Sequence, residues 1–219
     1  MDSTRVLPGN RILRYTLNER IVHWIAGASY TYLLVNGLAL WSPSLWWMVA
    51  VLGGGPLARA THPWIGLVYF ASVVWMHKEW KDDMRITEVD RNWSKALGHY
   101  VRNEEDENLP PVDRFNIGQK YLFWVMFWGG VVLLVTGLVL WFAELVPASL
   151  HFIRPICVFV HPIAFLVTLA GFIIHVYMGT AVVRGGFSSV IRGEVTQSWA
   201  RAHHRLWLER ITRHAPAKK

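Results

Sequence analysis

The stretch ICVFVHPIAFLVTLAGFIIHVYMGTAVV, residues 156–183, decides how this chain must fold. It contains no Asp, Glu, Lys or Arg, and two histidines, His161 and His175, interrupt it. The stretch is longer than the roughly 20 apolar residues that a helix needs to cross a bilayer. Because lipid cannot hydrogen-bond backbone groups, a segment of this kind is stable in a membrane as an α-helix. We therefore predict a membrane-spanning helix that carries two imidazoles.

Three further stretches raise the predicted number of spans to four. Residues 121–142 carry no charge, and residues 21–41 are interrupted only by His23. Residues 60–77 are shorter, but Arg59 and Lys78 flank them, as basic residues commonly flank membrane spans. With 53% hydrophobic residues, the chain is expected to be all-α. The expected fold is an integral membrane four-helix bundle that forms one domain over residues 1–219.

The basic residues predict the orientation of these spans. Of the 22 Lys and Arg residues, only Arg59 and Arg154 lie in the connections after the first and third spans. Cytoplasmic loops carry an excess of Lys and Arg, so both termini are expected on the cytoplasmic side of the membrane. The net charge of +7 is therefore a signal of topology. Nucleic-acid binding is not expected, because these residues flank spans and form no separate basic domain.

Two cytoplasmic segments are expected to carry structure. The segment 81–119 between the second and third spans has about forty residues, too many for a simple turn. Its acidic part, residues 104–107, fits either a solvated loop or a docking site for a partner. The tail 184–219 mixes tryptophans with arginines. This composition predicts a helix that lies on the inner membrane surface.

The single cysteine, Cys157, excludes several kinds of site. Covalent haem attachment through a Cys-x-x-Cys-His motif, a cysteine-ligated iron–sulfur cluster and an internal disulfide all need more thiols. Any haem is therefore held non-covalently, and any iron–sulfur cluster belongs to a partner subunit.

Chain direction sorts the four histidines of the apolar stretches by depth. The first span runs outward, which places His23 on the inner side, and the second runs inward from His62 on the outer side. The fourth span also runs inward, so His161 is expected outside and His175 inside. The result is an outer pair, His62 with His161, and an inner pair, His23 with His175. Ionisable residues at membrane depth are costly and usually have a partner.

The spacing on the fourth span indicates what these pairs hold. Fourteen residues separate His161 from His175, which places the two imidazoles about 40° from the same helix face and about 21 Å apart. This distance fits two stacked haems b, each held by two imidazoles from different helices. Because such a haem iron has no open coordination position, the expected chemistry is electron transfer.

The other histidines and the glycines of the spans allow simpler interpretations. We expect the remaining six histidines at the surface; they are His77, His99, His151, His203, His204 and His214. His77 could also handle protons, because it lies where the second span reaches the inner face. Four glycines fit either helix packing or close approach of a haem plane to the backbone. They are Gly27, Gly37, Gly137 and Gly171.

Several local sequences together resemble the cytochrome b (gamma) subunit of membrane-bound respiratory formate dehydrogenases, within the wider group of hydrogenase-type b cytochromes. They are RIVHW (20–24), ARATHP (58–63), RFNIGQK (114–120), His161, IHVYM (174–178) and SWARAHHRLW (198–207). The resemblance covers nearly the whole chain. The chain departs from the family at Arg205, where proline is usual, and at Arg184, where lysine is common.

The resemblance implies a place in a bacterial respiratory complex. It implies inner haem ligands on the first and fourth spans and outer ligands on the second and fourth. A molybdenum or tungsten catalytic subunit would oxidise formate outside the inner membrane, and an iron–sulfur subunit with its own membrane helix would pass on electrons. The complex could form a higher oligomer. This multi-pass subunit would have no complete activity alone.

The resemblance also implies a quinone site near the cytoplasmic face. The quinone is menaquinone or ubiquinone, and its pocket would include Asn116, Gln119 and His175. An amide side chain is chemically suitable, because a quinone carbonyl needs a hydrogen-bond donor. The simpler interpretation of Asn116 and Gln119 is helix capping before the third span.

Several alternatives remain open at this point, among them a stand-alone cytochrome that acts on small oxidants. The departures at Arg184 and Arg205 leave room for the cytochrome b subunit of a Ni–Fe hydrogenase or of a related oxidoreductase. A transporter with a histidine relay would use the same residues without haem and would be colourless. A structural anchor for a peripheral enzyme would need the histidines only for hydrogen bonds.

Overall fold

The computed structural model of the chain describes residues 5–95 and 111–213. The acidic segment 104–107, His99 and His214 lie outside the described residues. The chain is mostly helical (79%) and divides into two compact units. The helical unit contains Ile21–Glu79 and Trp124–Ile173, and the mixed unit contains Met1–Arg20, Trp80–Phe123 and Ile174–Lys219.

The predicted spans coincide with four long helices. In chain order the α-helices are α1 (Leu17–Trp41), α2 (Gly55–Trp80), α3 (Glu88–Ser94), α4 (Ile117–Trp141), α5 (Ile153–Tyr177), α6 (Gly186–Arg192), α7 (Gln197–His203) and α8 (Arg205–Arg213). Helices α1, α2, α4 and α5 have 25 or 26 residues and are therefore about 37–39 Å long. All four begin three to five residues before the predicted span.

Composition divides these four helices into two strongly apolar ones and two more polar ones. Among the described helices, Ile117–Trp141 and Ile153–Val182 are long and apolar enough to cross a membrane. Only 17% of the most apolar window of each is buried, so most of their apolar side chains face outward, as lipid-facing side chains do. Helices α1 and α2 are equally long but more polar. The count of four spans therefore stays a prediction.

Side chains from all four long helices pack together in the helical unit. Tyr30 and Tyr69 are buried in one hydrophobic cluster together with Val73, and side chains of α4 and α5 pack against it. The Tyr30 hydroxyl donates to Thr168 Oγ1 on α5 at 3.0 Å. Asn36 on α1 donates through Nδ2 to the α2 carbonyl of Ala58 at 2.8 Å. Helices α1, α2, α4 and α5 therefore form a bundle in this unit.

A 3₁₀ helix, Pro43–Leu52, connects α1 to α2. It ends at Gly53, whose φ of +80° is in the left-handed region that favours glycine. Val49 is buried in a cluster with Ala39 of α1 and Ala58 of α2. The connection is therefore packed against both helices that it joins.

Three short strands form a sheet in the mixed unit, which corrects the all-α expectation. Strands β1 (Val6–Leu7) and β2 (Arg11–Leu13) pair antiparallel, and β2 pairs antiparallel with β3 (Glu194–Thr196). In this register Ile12 lies opposite Val195. Strands of two or three residues are too short for an alternating pattern to be read from the sequence. Their pairing depends on a partner from the other end of the chain.

The C-terminal tail packs into the mixed unit and is not a separate surface helix. The expectation that residues 184–219 form a helix lying on the inner membrane surface is therefore corrected. On α8, Trp207, Leu208 and Ile211 are buried in one hydrophobic cluster with Ile12 of β2 and Val195 of β3. Trp207 is only 1% exposed. The amphipathic pattern correctly marked an apolar face on this helix, but a pattern cannot say whether lipid or protein covers that face.

The segment between α2 and α4 makes buried ionic contacts, as expected from its length. Arg114 donates to Glu19 Oε1 at 2.5 Å and to Asp83 Oδ2 at 2.7 Å. The indole of Trp80 donates to the same Glu19 oxygen at 2.7 Å. Burial raises the pKa of the Glu19 carboxyl, but the adjacent Arg114 charge and these hydrogen bonds outweigh burial and hold that pKa below its usual value.

Candidate functional site

A cavity of about 510 Å³ lies inside the helical unit. Its volume is within the roughly 300–1,000 Å³ typical of cofactor and small-molecule pockets. All four long helices line it, through residues within 30–41 of α1, 59–70 of α2, 130–141 of α4 and 158–165 of α5. Most of the lining is apolar, and His62 and His161 are among the few polar side chains that reach it.

The structure brings His62 of α2 and His161 of α5 together at this cavity. Their ring centroids are 6.3 Å apart, and the ring planes are inclined at 60°. A metal–imidazole bond is about 2.0–2.1 Å long. If about 1.2 Å from nitrogen to ring centre is added on each side, two imidazoles on opposite sides of one ion have centroids about 6.4 Å apart. The observed separation therefore fits one metal ion held between the two rings.

A threonine orients the second of these imidazoles. Thr136 of α4 is buried, and its Oγ1 lies 2.8 Å from His161 Nδ1. The threonine hydroxyl is also placed to donate to the carbonyl of Val132 at 2.7 Å, and in that case its oxygen accepts the Nδ1 proton of the histidine. This arrangement leaves the lone pair on Nε2, which is the tautomer that binds a metal through Nε2.

The first imidazole carries a buried polar atom with no partner. His62 Nδ1 has no hydrogen-bond partner within the described part of the chain. Buried polar atoms without a partner are uncommon in folded proteins. Here the atom belongs to a ring that lines a cavity, as expected where a further group completes the site.

Glycines from three helices line the cavity. A Cβ atom on Gly137 would lie 3.3 Å from His161 Cε1, and one on Gly37 would lie 3.9 Å from His62 Cε1. Gly66 and Gly130 also line the cavity, and a Cβ on Gly66 would meet nothing within 4 Å. Side chains at Gly37 and Gly137 would fill space beside the two imidazoles. The open space suits a flat cofactor that lies close to the backbone.

Prolines are a feature of this site that the sequence interpretation missed. Each cavity histidine is followed directly by a proline, Pro63 or Pro162, inside its helix. Because proline has no N–H group, the carbonyls of Arg59 and Val158, four residues earlier, cannot accept the usual i→i−4 hydrogen bond. Both of those residues line the cavity. The repeated His-Pro dipeptide was the signal in the sequence that could have linked the two helices.

A family comparison agrees with this geometry. The sequence profile of the family described as prokaryotic cytochrome b561 matches residues 14–193, which is most of the chain. The chain belongs to the prokaryotic cytochrome b561 family. A cytochrome of the b type carries haem b, and the members of this family are helical membrane proteins.

Curated relatives of this cytochrome b561 protein match over nearly its whole length. The formate dehydrogenase cytochrome b556(fdo) subunit of Escherichia coli (strain K12) is 34% identical over 201 residues, 91% of this chain and 93% of the relative. The formate dehydrogenase cytochrome b556 subunit of Haemophilus influenzae is 28% identical over 210 residues, 94% of this chain and 86% of the relative. The nitrate-inducible formate dehydrogenase cytochrome b556(Fdn) subunit of Escherichia coli (strain K12) is 28% identical over 211 residues, 95% of this chain and 94% of the relative.

The residues of this cytochrome b561 protein suit a haem better than a metal held by protein alone. Within residues 5–95 and 111–213, no group of three or more His, Cys, Asp or Glu side chains could hold a metal ion. A haem iron needs only one or two axial protein ligands, because the macrocycle supplies the other four nitrogens. The His62 and His161 pair meets that requirement.

The two predicted inner ligands lie in different units of the cytochrome. His23 is half-buried near the start of α1 in the helical unit, and its ring makes an edge contact with Trp24 at 5.6 Å. His175 lies in the last turn of α5, within the mixed unit, and is exposed. Their pairing stays a prediction.

The two predicted quinone-site amides form a helix cap at the start of α4 in this cytochrome. Asn116 Oδ1 accepts the backbone N–H of Gln119 at 2.9 Å, and Gln119 Oε1 accepts the backbone N–H of Asn116 at 2.9 Å. The capping interpretation is therefore confirmed. The side-chain NH₂ groups take no part in this cap, so the chemistry needed for a quinone carbonyl is compatible with it.

Two of the remaining histidines have defined surroundings in the cytochrome. The ring of His77 stacks on Phe127 at 4.5 Å, which is a packing contact. His204 was expected at the surface, but it is only 4% exposed. Its Nδ1 donates to the carbonyl of Asp113 at 2.8 Å, and its Nε2 accepts from Arg14 at 3.2 Å. Burial, followed by the Arg14 charge, holds the pKa of His204 well below its usual value.

Proposed function

We propose that this protein is the cytochrome b subunit of a formate dehydrogenase in the bacterial inner membrane, where it carries electrons from a partner subunit to quinone. The relatives that match over nine-tenths of the chain are named as such subunits. The observation that carries the proposal is the facing pair His62 and His161 across a cofactor-sized cavity. Such a pair suits a haem that transfers electrons without binding oxygen or substrate.

The outer haem would be held by His62 and His161. Haem b supplies one-electron transfer when it is bound. His62 and His161 would supply the imidazole nitrogens that hold the iron, and Thr136 would maintain the metal-binding tautomer of His161 by accepting its Nδ1 proton. The glycines would leave room for a flat macrocycle, and the lining is mostly apolar. An iron held by both imidazoles would have no open position for oxygen or substrate.

A second, inner haem would be held by His23 and His175. His161 and His175 both belong to helix α5, and their separation of about 21 Å along a continuous helix leaves room for two haems. The electrons would then pass from the outer haem to the inner one within a single subunit. The domain as a whole would be a dihaem cytochrome over residues 1–219.

Quinone would be reduced near the inner haem. Asn116, Gln119 and His175 all belong to the mixed unit, and the two amides keep hydrogen-bond donors that their cap does not use. A donor of this kind suits a quinone carbonyl. The quinone class, menaquinone or ubiquinone, depends on the organism.

The proposed topology gives this transfer its direction. With four spans and both termini cytoplasmic, electrons from an exported molybdenum or tungsten subunit and an iron–sulfur subunit with a membrane helix would move inward. If quinone reduction takes protons from the cytoplasm, the cycle builds a membrane potential. The subunit alone would have no complete activity, since it lacks the catalytic partner.

Haem analysis of ligand variants tests this proposal. The complex is purified in mild detergent, and haem per chain is measured as the pyridine haemochrome together with oxidised and reduced spectra. We expect two low-spin haems b in the wild-type protein and one in both His62→Ala and His161→Ala. His151→Ala is the matched control, because His151 is exposed outside the long helices. A folded complex without haem in this subunit, or two normal haems in both variants, would refute the proposal.

A further inference from the structure

Arg59 is the one side chain with a permanent charge that lines the cavity, among the residues that the structure describes. It lies on α2 three residues before His62, so the two side chains are on the same side of that helix. Apart from the two histidines, the other lining residues are Gly, Pro, Leu, Val, Phe, Tyr and Trp. Arg59 is itself exposed, so it lies at an open edge of the cavity, where a solvated cation can bind an anionic edge of an occupant.

No carboxylate of the described residues pairs with Arg59. The guanidinium carbon instead lies 5.3 Å from the ring centre of Trp46, a cation–π contact. Trp46 packs against the start of α2, where a Cβ atom on Gly55 would lie 2.5 Å from its Cζ2. The arginine is therefore held in place by an aromatic ring, and its hydrogen-bond donors are not used by an ion pair.

The two ends of the cavity differ along α2. Arg59 lies about 4.5 Å before His62 along the helix axis, and Tyr69 lies about 10.5 Å beyond it. The Arg59 end also contains the first turns of α2, which carry no acidic residue, and a helix N-terminus is electrostatically positive. The opposite end is formed by aromatic and aliphatic side chains that include Tyr30, Tyr69 and Phe70.

We propose that Arg59 binds a propionate carboxylate of the outer haem, which orients the macrocycle with its propionate edge at Arg59 and its vinyl edge toward Tyr69. The inference rests on the proposed function, since it needs a haem between His62 and His161. A haem b carries two carboxylates on one edge, and a charge-assisted guanidinium–carboxylate bond is about twice as strong as a neutral one. Burial of a carboxylate at the Tyr69 end, without a cation, would be costly.

This orientation makes Arg59 a positioning residue that also sets the reduction potential of the haem. A nearby positive charge stabilises the reduced, less positive form of the iron centre, so it raises the midpoint potential. The same charge favours the ionised propionate and lowers the pKa of that carboxyl. If the charge is removed, the midpoint potential should fall, and its pH dependence should move to higher pH.

Redox titration of four variants in the purified complex tests the orientation. We expect Arg59→Gln to change the ratio of oxidised to reduced outer haem about tenfold at a fixed potential, which is a midpoint about 59 mV lower. Arg59→Lys keeps the charge and should recover at least half of that shift. Arg154→Gln removes an exposed charge that does not line the cavity, and Tyr69→Phe removes the hydroxyl at the opposite end. Arg154→Gln should leave the midpoint unchanged, and Tyr69→Phe reports whether the propionates lie at its end of the cavity instead.

Three results would overturn the orientation. In the first, Arg59→Gln has the wild-type midpoint and pH dependence. If the amount of anionic phospholipid bound to the complex falls in this variant instead, the anion at Arg59 is a lipid headgroup. In the second, Tyr69→Phe carries the shift, which places the propionates at the other end. In the third, Arg59→Lys and Arg59→Gln lose haem equally, which makes the role one of packing. A wild-type complex without an outer haem would refute the proposed function itself, and that failure is visible before any variant is made.

Discussion

The side chains of Thr136 and His161 are joined by a hydrogen bond of 2.8 Å between Oγ1 and Nδ1. The two residues belong to α4 and α5, so the bond links neighbouring helices of the bundle as well as fixing the imidazole. When the threonine hydroxyl donates to its own helix, its oxygen accepts the Nδ1 proton of His161. A local backbone contact on α4 thereby selects the histidine tautomer on α5.

Thr136→Val should weaken haem binding at the outer site. The substitution keeps the volume but removes the acceptor for the His161 proton, and loss of an outer-shell partner typically costs about 10–100-fold in metal affinity. The rate of haem transfer from the purified complex to apomyoglobin measures this effect. Thr136→Ser keeps the hydroxyl and is the control. Equal transfer rates for both variants and the wild type would show that the bond does not support the haem.

Gly137→Ala should reduce occupancy of the outer site, because the added Cβ atom would lie only 3.3 Å from His161 Cε1 and displace the ring. Gly27→Ala is the matched control, since a Cβ atom there would meet nothing within 4 Å. In a helix that change should stabilise the protein by about 0.5–1 kcal/mol. Haem per chain and the thermal unfolding midpoint are measured for both. Full haem content in Gly137→Ala would contradict the tight fit at this ring.

Glu19→Gln should destabilise the mixed unit and remove part of its sensitivity to acid. The buried pair with Arg114 has side chains only 4% and 7% exposed, and breaking such a pair costs about 3–5 kcal/mol. The pKa of Glu19 is lowered in the folded protein. Its stabilising contribution is therefore present above the ordinary carboxyl pKa of 4.5 and is lost as the pH falls below that value.

Thermal unfolding between pH 2 and pH 8 measures both effects of this substitution. Glutamine can still accept the Thr16 backbone N–H that Glu19 accepts, so the helix cap is preserved while the charge is removed. Glu144→Gln, at an exposed residue, is the control. A Glu19→Gln protein as stable as the control would mean that the ion pair contributes little.

His204→Gln should reduce the pH dependence of stability in a pH range higher than the one in which Glu19 acts. The pKa of buried His204 lies well below the ordinary value of 6.5, so the unfolded chain takes up the proton first as the pH falls. Stability should therefore be full above about pH 6.5 and decrease below it by up to about 1.4 kcal/mol per pH unit. In His204→Gln this slope should be smaller than in the wild type. The exposed variant His151→Gln should keep the wild-type slope.

Cysteine labelling tests the predicted topology. Cys157 is the only cysteine and is buried, so Cys157→Ala provides a background for single cysteines. Leu145→Cys, in a connection where the side chain is 72% exposed, should react with a membrane-impermeant maleimide in intact cells. Arg201→Cys on α7 should react only after the cells are permeabilised. The reverse pattern would place both termini outside.

The amino-acid sequence was sufficient for features that depend on local composition. Long apolar runs must become helices in lipid, so the extents of α4 and α5 could be predicted closely. Chain direction and helix periodicity then assigned depths to the histidines without any knowledge of contacts, and the structure places the predicted outer pair side by side. The reciprocal cap of Asn116 and Gln119 is also local, which is why capping could be weighed from spacing alone.

Only the tertiary structure decided features that join distant parts of the chain. The sheet pairs Ile12 with Val195, and the burial of Trp207 depends on what covers its helix, which an amphipathic pattern does not specify. His204 is buried because Arg14 and the Asp113 carbonyl meet it from other segments. Thr136 and Arg59 are ordinary residues in the sequence. Their significance comes from the helix or ring against which each packs, and such contacts between distant segments leave no periodic signal along the chain.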